Sequence, residues 1–142
     1  MRVLAIDLGS VRVGVAVSDE LGLMAHPRPH LPAGNTKALL AALVQLAREE
    51  GVERFIVGLP RHLNGSEGRG ARDARLFAAA LAKQSALPVA LVDEWLSTRE
   101  AHARLREGGN KQRDTRGRID SAAAAVLLQS WLDGQSARDQ SR

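Results

Sequence analysis

Two apolar, β-branched runs set the first constraint on this chain. Residues 2–8 and 12–18 alternate Val, Ile, Leu and Ala with few polar positions, and only Gly9, Ser10 and Val11 separate them. Runs this close, joined by a glycine turn, pair as an antiparallel hairpin. The pattern then changes character. Residues 21–31 hold Pro27 and Pro29, which confine that stretch to an edge or irregular strand. Asn35 or Thr36 can cap a helix running to about Glu50, with Leu39, Leu43 and Leu46 on one face and Gly51 as its stop. Residues 53–58 form a short apolar strand closed by Leu59 and Pro60. Asn64, Gly65 and Ser66 can cap a second helix to about Ser85. Residues 87–92 are a third apolar strand, ending at Asp93 and Glu94. Ser97 caps a short helix to about Glu107, and residues 108–117 read as a mobile basic loop. An alanine-rich helix over 119–132 follows.

A hairpin followed by strand–helix alternation predicts an α/β fold. Its sheet is mixed, antiparallel at first and then parallel, with helices on its faces. At 142 residues the chain is one domain. Residues 1–133 carry the fold, and 134–142 form a polar tail expected to be disordered. There is no cysteine, which excludes disulfides and thiolate chemistry. No apolar run approaches the ~20 residues of a membrane span. The first residues read as a strand, not a signal peptide, so a cytoplasmic location is expected.

The net charge is +4. Apart from Lys37, Lys83 and Lys111 the basic side chains are arginines, whose planar fork suits phosphate. The aromatics are Phe55, Phe77, Trp95 and Trp131, too few for a base-stacking platform. A nucleic-acid partner would therefore be held by its phosphates.

Four acids stand where the elements end. Asp7 closes the first strand, Asp93 and Glu94 close the last, and Asp120 opens the final helix. If the first and last strands run parallel, their carboxyl ends share an edge, where ligands of open α/β sheets sit. Acids gathered there repel unless a cation joins them. An all-oxygen set selects Mg²⁺ or Mn²⁺. Two such ions can activate water and stabilise the leaving oxygen of a phosphodiester. Each acid also has a plainer explanation. Asp120 in a first helical turn would complement the helix dipole, and a strand-end acid can simply be solvated. Alternation places Asp93 and Glu94 on opposite faces, and spacing does not choose between them.

Candidate phosphate contacts surround these acids. Ser10 and Arg12 sit beside Asp7. Asn64 and Ser66 stand at a helix start, and helix N-termini attract anions. Between residues 99 and 118 seven basic side chains face three acids. Lys111, Arg113, Arg116 and Arg118 immediately precede Asp120 and could draw a nucleic-acid strand towards it.

Four blocks resemble the YqgF/RuvX family. They are Asp7 to Asp19, Val57 to Pro60 with Asn64 to Gly68, Val92 to Thr98, and Ile119 to Ala124. Their order is the family's, and they span nearly the whole chain before the tail. The resemblance implies an RNase H-like fold and a metal-dependent nuclease, a hydrolase acting on ester bonds. It implies catalytic, metal-binding acids at Asp7, Glu94 and Asp120, with Asp7 bridging two divalent cations, Mg²⁺ or Mn²⁺. It thereby favours Glu94 over Asp93. Such proteins are described as Holliday junction resolvases and as nucleases maturing the small-subunit (16S) ribosomal RNA precursor. The expected partners are that precursor, or branched or single-stranded DNA, with the protein a monomer or homodimer. One position departs from the family: Trp95 stands where an arginine usually follows the Asp-Glu pair, which bears on substrate geometry rather than on the metal ligands. A non-catalytic RNA-binding assembly factor is the different-class alternative, against which the intact acid set argues. A sugar-kinase-like phosphotransferase would need a second lobe that this length does not supply.

Overall fold

A computed structural model describes residues 1–60, 69–93 and 112–140, with the backbone alone at 69, 112–120 and 137–140. β1 (Arg2–Leu8) and β2 (Arg12–Ser18) form the expected hairpin, with Ile6 opposite Val15 and Asp7 opposite Gly14. The turn depends on Gly9. A Cβ there would lie 2.3 Å from the Arg12 carbonyl oxygen, so any side chain would force the hairpin end open. β3 (Ala25–Pro32) pairs antiparallel with β2 at the sheet edge, the position its prolines require.

α1 (Thr36–Glu50) starts at Asn35, whose side chain accepts the Ala38 N–H at 3.0 Å, and stops at Gly51 in the left-handed conformation. β4 (Val52–Leu59), α2 (Arg69–Ser85), β5 (Val89–Asp93) and α3 (Gln112–Gln140) follow. The sheet order is β3-β2-β1-β4-β5, and β1, β4 and β5 are parallel.

Strand alternation splits the core into two layers. Leu4, Ile6, Val13, Val15, Phe55 and Val57 face α1 and α2 and pack on Leu39, Leu43, Phe77 and Leu81. Val3, Ala5, Ala16 and Ile56 face the other way, onto Ala124, Leu127 and Leu128 of α3. Alanines on both sides of that second layer let the helix lie close to the sheet.

α3 corrects two expectations. It begins at Gln112, so the second part of the predicted basic loop is helical, and it continues to Gln140 through most of the predicted disordered tail. Apolar periodicity marks only the packed stretch of a helix. The flanking Gln, Arg, Ser and Ala residues have adequate helix propensity, and only Gly117 and Gly134 cost about 1 kcal/mol each against alanine.

The edge strand is fastened from both sides through Arg28. Its guanidinium forks onto the Glu50 carboxylate of α1, with N···O distances of 2.5 to 3.1 Å. Its carbonyl accepts the Ser121 hydroxyl of α3. The hydrogen bonds from Arg28 hold the Glu50 carboxyl below the usual glutamate range. A carboxyl whose folded pKa is depressed adds stability above its unfolded pKa, about 4.3, and loses it as pH falls through the lower folded value. Glu50→Gln is therefore expected to cost about 1 kcal/mol at neutral pH. In urea melts the gap to the parent protein should close under acid conditions, below pH about 4.

Ala86, exposed just after α2, has φ 60°. A left-handed alanine costs about 1–2 kcal/mol. Ala86→Gly is expected to raise stability by about 1 kcal/mol, measured as a higher denaturation midpoint with an unchanged slope.

Candidate functional site

Because β1, β4 and β5 are parallel, their carboxyl ends form one rim of the sheet. At that rim Ile6 is level with Val57 and Val57 with Leu91, while Leu59 is level with Asp93. Asp7 follows Val3, Leu4, Ala5 and Ile6, all fully buried, and is itself half-buried. By alternation it shares the face of Val3 and Ala5, which is the α3 face. Asp93 shares the face of Val89 and Leu91, which pack in the α1–α2 layer. The two acids are therefore on opposite sides of the sheet, and Asp93 is exposed.

Hydrogen bonds fix the direction of α3. Ser121 reaches the Arg28 carbonyl, and Arg28 is level with Val15 and so with Ile6. Two turns later, Gln129 accepts the Ala25 N–H at 3.0 Å and donates to the Leu23 carbonyl at 2.9 Å, towards the opposite end of the sheet. α3 thus runs antiparallel to β1, and the backbone before Ser121 lies at the rim that carries Asp7. Asp120 is the residue immediately before Ser121. It is the ninth residue of α3, not the first-turn residue expected from sequence. Dipole complementation fades beyond the first turn, so the plainer explanation for an acid there no longer applies.

The other predicted residues divide as follows. Ser10 and Arg12 are exposed at the β1–β2 turn. Arg113, Arg116 and Arg118 lie along α3, their side chains, like that of Asp120, outside the described residues. Asn64, Ser66, Glu94, Trp95 and Lys111 lie outside the described residues altogether. Among the described residues no three acids or histidines gather; Asp7 is the predicted ligand whose side chain is seen.

A cleft of about 550 Å³ opens at the same rim, lined by Ser10, Thr36, Asp73 and Phe77 among others. It belongs to the α1–α2 face, as its lining by Leu8, Val13 and Leu39 requires, and not to the face of Asp7. Ser10 lines this cleft, so its place is less directly beside the acid than adjacency in sequence suggests.

Two polar residues escaped the sequence reading. Ser121 is 2% exposed and Gln129 half-buried. Ser121 stands within the Ile119 to Ala124 block with no role of its own assigned, and Gln129 carries no local signal; their meaning depends on the strand each one meets.

Asp7 supplies hard oxygen donors at the end of a strand with no histidine or cysteine beside it in sequence. That donor chemistry fits Mg²⁺ or Mn²⁺.

Similar proteins bear on this geometry. Among solved structures, Thermus thermophilus RuvC in complex with a Holliday junction substrate superposes with a TM-score of 0.59, at 16% identity over 96% of each chain. The fowlpox virus resolvase bound to Holliday junction DNA gives 0.58, at 11% identity over 95% of this chain and 99% of the other. These likenesses establish the RNase H-like architecture. Closer in sequence is a protein of Anaeromyxobacter sp. (strain Fw109-5) named "Putative pre-16S rRNA nuclease", 47% identical over 96% of this chain and all of its own. A protein of the same name from Symbiobacterium thermophilum is 43% identical over 97% of this chain and 96% of its own. The family model described as "RuvX: Holliday junction resolvase" matches residues 1–134, a span that takes in Asp7, the parallel rim and the packed part of α3, and with it the chain belongs to the RuvX family.

Proposed function

We propose that this protein is a metal-dependent nuclease that hydrolyses phosphodiester bonds in the small-subunit (16S) ribosomal RNA precursor. The observation that carries the proposal is the convergence at one rim, on one face, of Asp7 and the α3 backbone that bears Asp120. The third acid is Glu94. Even-numbered β5 residues, Ala90 and Val92, pack in the α3 layer with Val3 and Ala5, and that parity favours an even-numbered acid over Asp93.

Bound Mg²⁺ or Mn²⁺ would supply an activated water and charge neutralisation at the leaving oxygen. The chain's own part is to bring the carboxylates together at one rim. β1 is paired on both sides, with β2 and β4, so Asp7 is carried on the central strand of the sheet. Arg12 at the β1–β2 turn, with Lys111, Arg113, Arg116 and Arg118, would attract the substrate's phosphates. The relatives' names favour precursor RNA, and the family description favours junction cleavage as the second reading. Labelled precursor RNA, a four-way DNA junction and single-stranded DNA should be incubated side by side with Mg²⁺ or Mn²⁺. Preferential cutting of the precursor supports the first reading. Preferential cutting of the junction replaces it by the second, and no cutting of any substrate with either ion removes the nuclease proposal.

A further inference from the structure

Ser121 is one of two buried polar residues among those described, with Ser18. The Ser18 oxygen accepts the Val3 N–H at 2.8 Å, a bond within the β1–β2 pair. Ser121 does something else: its hydroxyl crosses from α3 to the Arg28 carbonyl of the edge strand. Around it on α3 are alanines, Ala122 to Ala125, which fill space without fixing the helix's rotation or axial position. A hydroxyl bonded to a fixed carbonyl does both. Arg28 is itself anchored, by its fork onto Glu50 and by its place in the β2–β3 ladder.

We infer that Ser121 is a positioning residue for the metal site, a latch that sets the register of α3 so that Asp120 meets Asp7. The inference rests on the reading of Asp120 as a metal ligand. Among the described residues α3 is held to the sheet at two polar points, Ser121 and, two turns on, Gln129. Only the first adjoins the acid. Loss of the Ser121 hydroxyl leaves the Arg28 carbonyl without its partner and frees the turn that carries Asp120. Loss of the Gln129 amide frees the far half of the helix. Groups that orient metal ligands typically affect metal affinity or activity by 10–100-fold, roughly.

The test measures Mn²⁺ binding by calorimetry on the full-length protein without substrate, alongside thermal melts in chelator. Ser121→Ala is expected to weaken Mn²⁺ about tenfold, and Ser121→Thr, which keeps the hydroxyl, to recover most of that loss. Gln129→Ala is the structural control, expected to lower Tm in chelator while leaving Mn²⁺ affinity as in the parent protein. Parent-like Mn²⁺ affinity in Ser121→Ala overturns the inference. So does an equal loss of affinity in Gln129→Ala, which would mean that general loosening of α3 suffices. Asp120→Asn separates the two levels. If it binds Mn²⁺ like the parent, Asp120 is not a ligand and both readings fall. If it loses Mn²⁺ while Ser121→Ala does not, only the latch falls.

Discussion

Asp7→Asn is expected to abolish cleavage, lowering kcat by about 10³-fold or more, or roughly 4 kcal/mol of transition-state stabilisation. Asparagine keeps the shape of the side chain and one oxygen. It loses the charge that would hold a dication and exchanges an acceptor for a donor. The surrounding strand has no reason to move, since Val3 to Ile6 are buried by packing that the substitution does not touch. The variant should therefore keep the parent's fold, seen as a cooperative melt in chelator. Added Mn²⁺ should raise the Tm of the parent protein, since a ligand that binds only the folded state stabilises it, and should leave Asp7→Asn unmoved. Parent-like cleavage by Asp7→Asn would exclude the proposed chemistry. A collapsed Tm in chelator would show instead that Asp7 serves the fold.

The place of Asp7 at the end of β1 was legible in the sequence because an apolar strand that runs into an acid and a glycine turn has an evident end. The hairpin was legible for the same local reasons, as was the edge placement of β3, where Pro27 and Pro29 allow nothing else. The extent of α3 was not. Its flanks are polar, so their helicity leaves no apolar period to detect, and the helicity from Gln112 onward is visible only in the backbone. That shift matters for function, because it moves Asp120 from a helix end, where acids are common, to the helix interior. Ser121 and Gln129 were illegible for a different reason. Each is defined by a partner about a hundred residues away, the Arg28 carbonyl or the 23–25 segment, and no local window contains both halves of such a contact. The same holds for the side of the sheet on which the cleft lined by Ser10 opens, which depends on how α1 and α2 fold over the β1–β2 turn.

The choice between Asp93 and Glu94 is the second decisive measurement. Sequence spacing says only that the two acids point to opposite faces. The register of the three parallel strands, described as far as Asp93, supports the proposed reading. Asp7 shares a face with Val3 and Ala5, and Ala90 and Val92 of β5 pack in that same layer, whereas Val89 and Leu91 pack in the other. An acid that joins Asp7 must have the parity of Ala90 and Val92. Glu94→Gln is accordingly expected to lose cleavage as completely as Asp7→Asn, with Mn²⁺ no longer raising its Tm. Asp93→Asn, at an exposed position level with Leu59, should cut within about twofold of the parent rate. The opposite result, a dead Asp93→Asn beside an active Glu94→Gln, would put the working acid on the face of Val89 and Leu91. The metal site would then have to be rebuilt around the α1–α2 face.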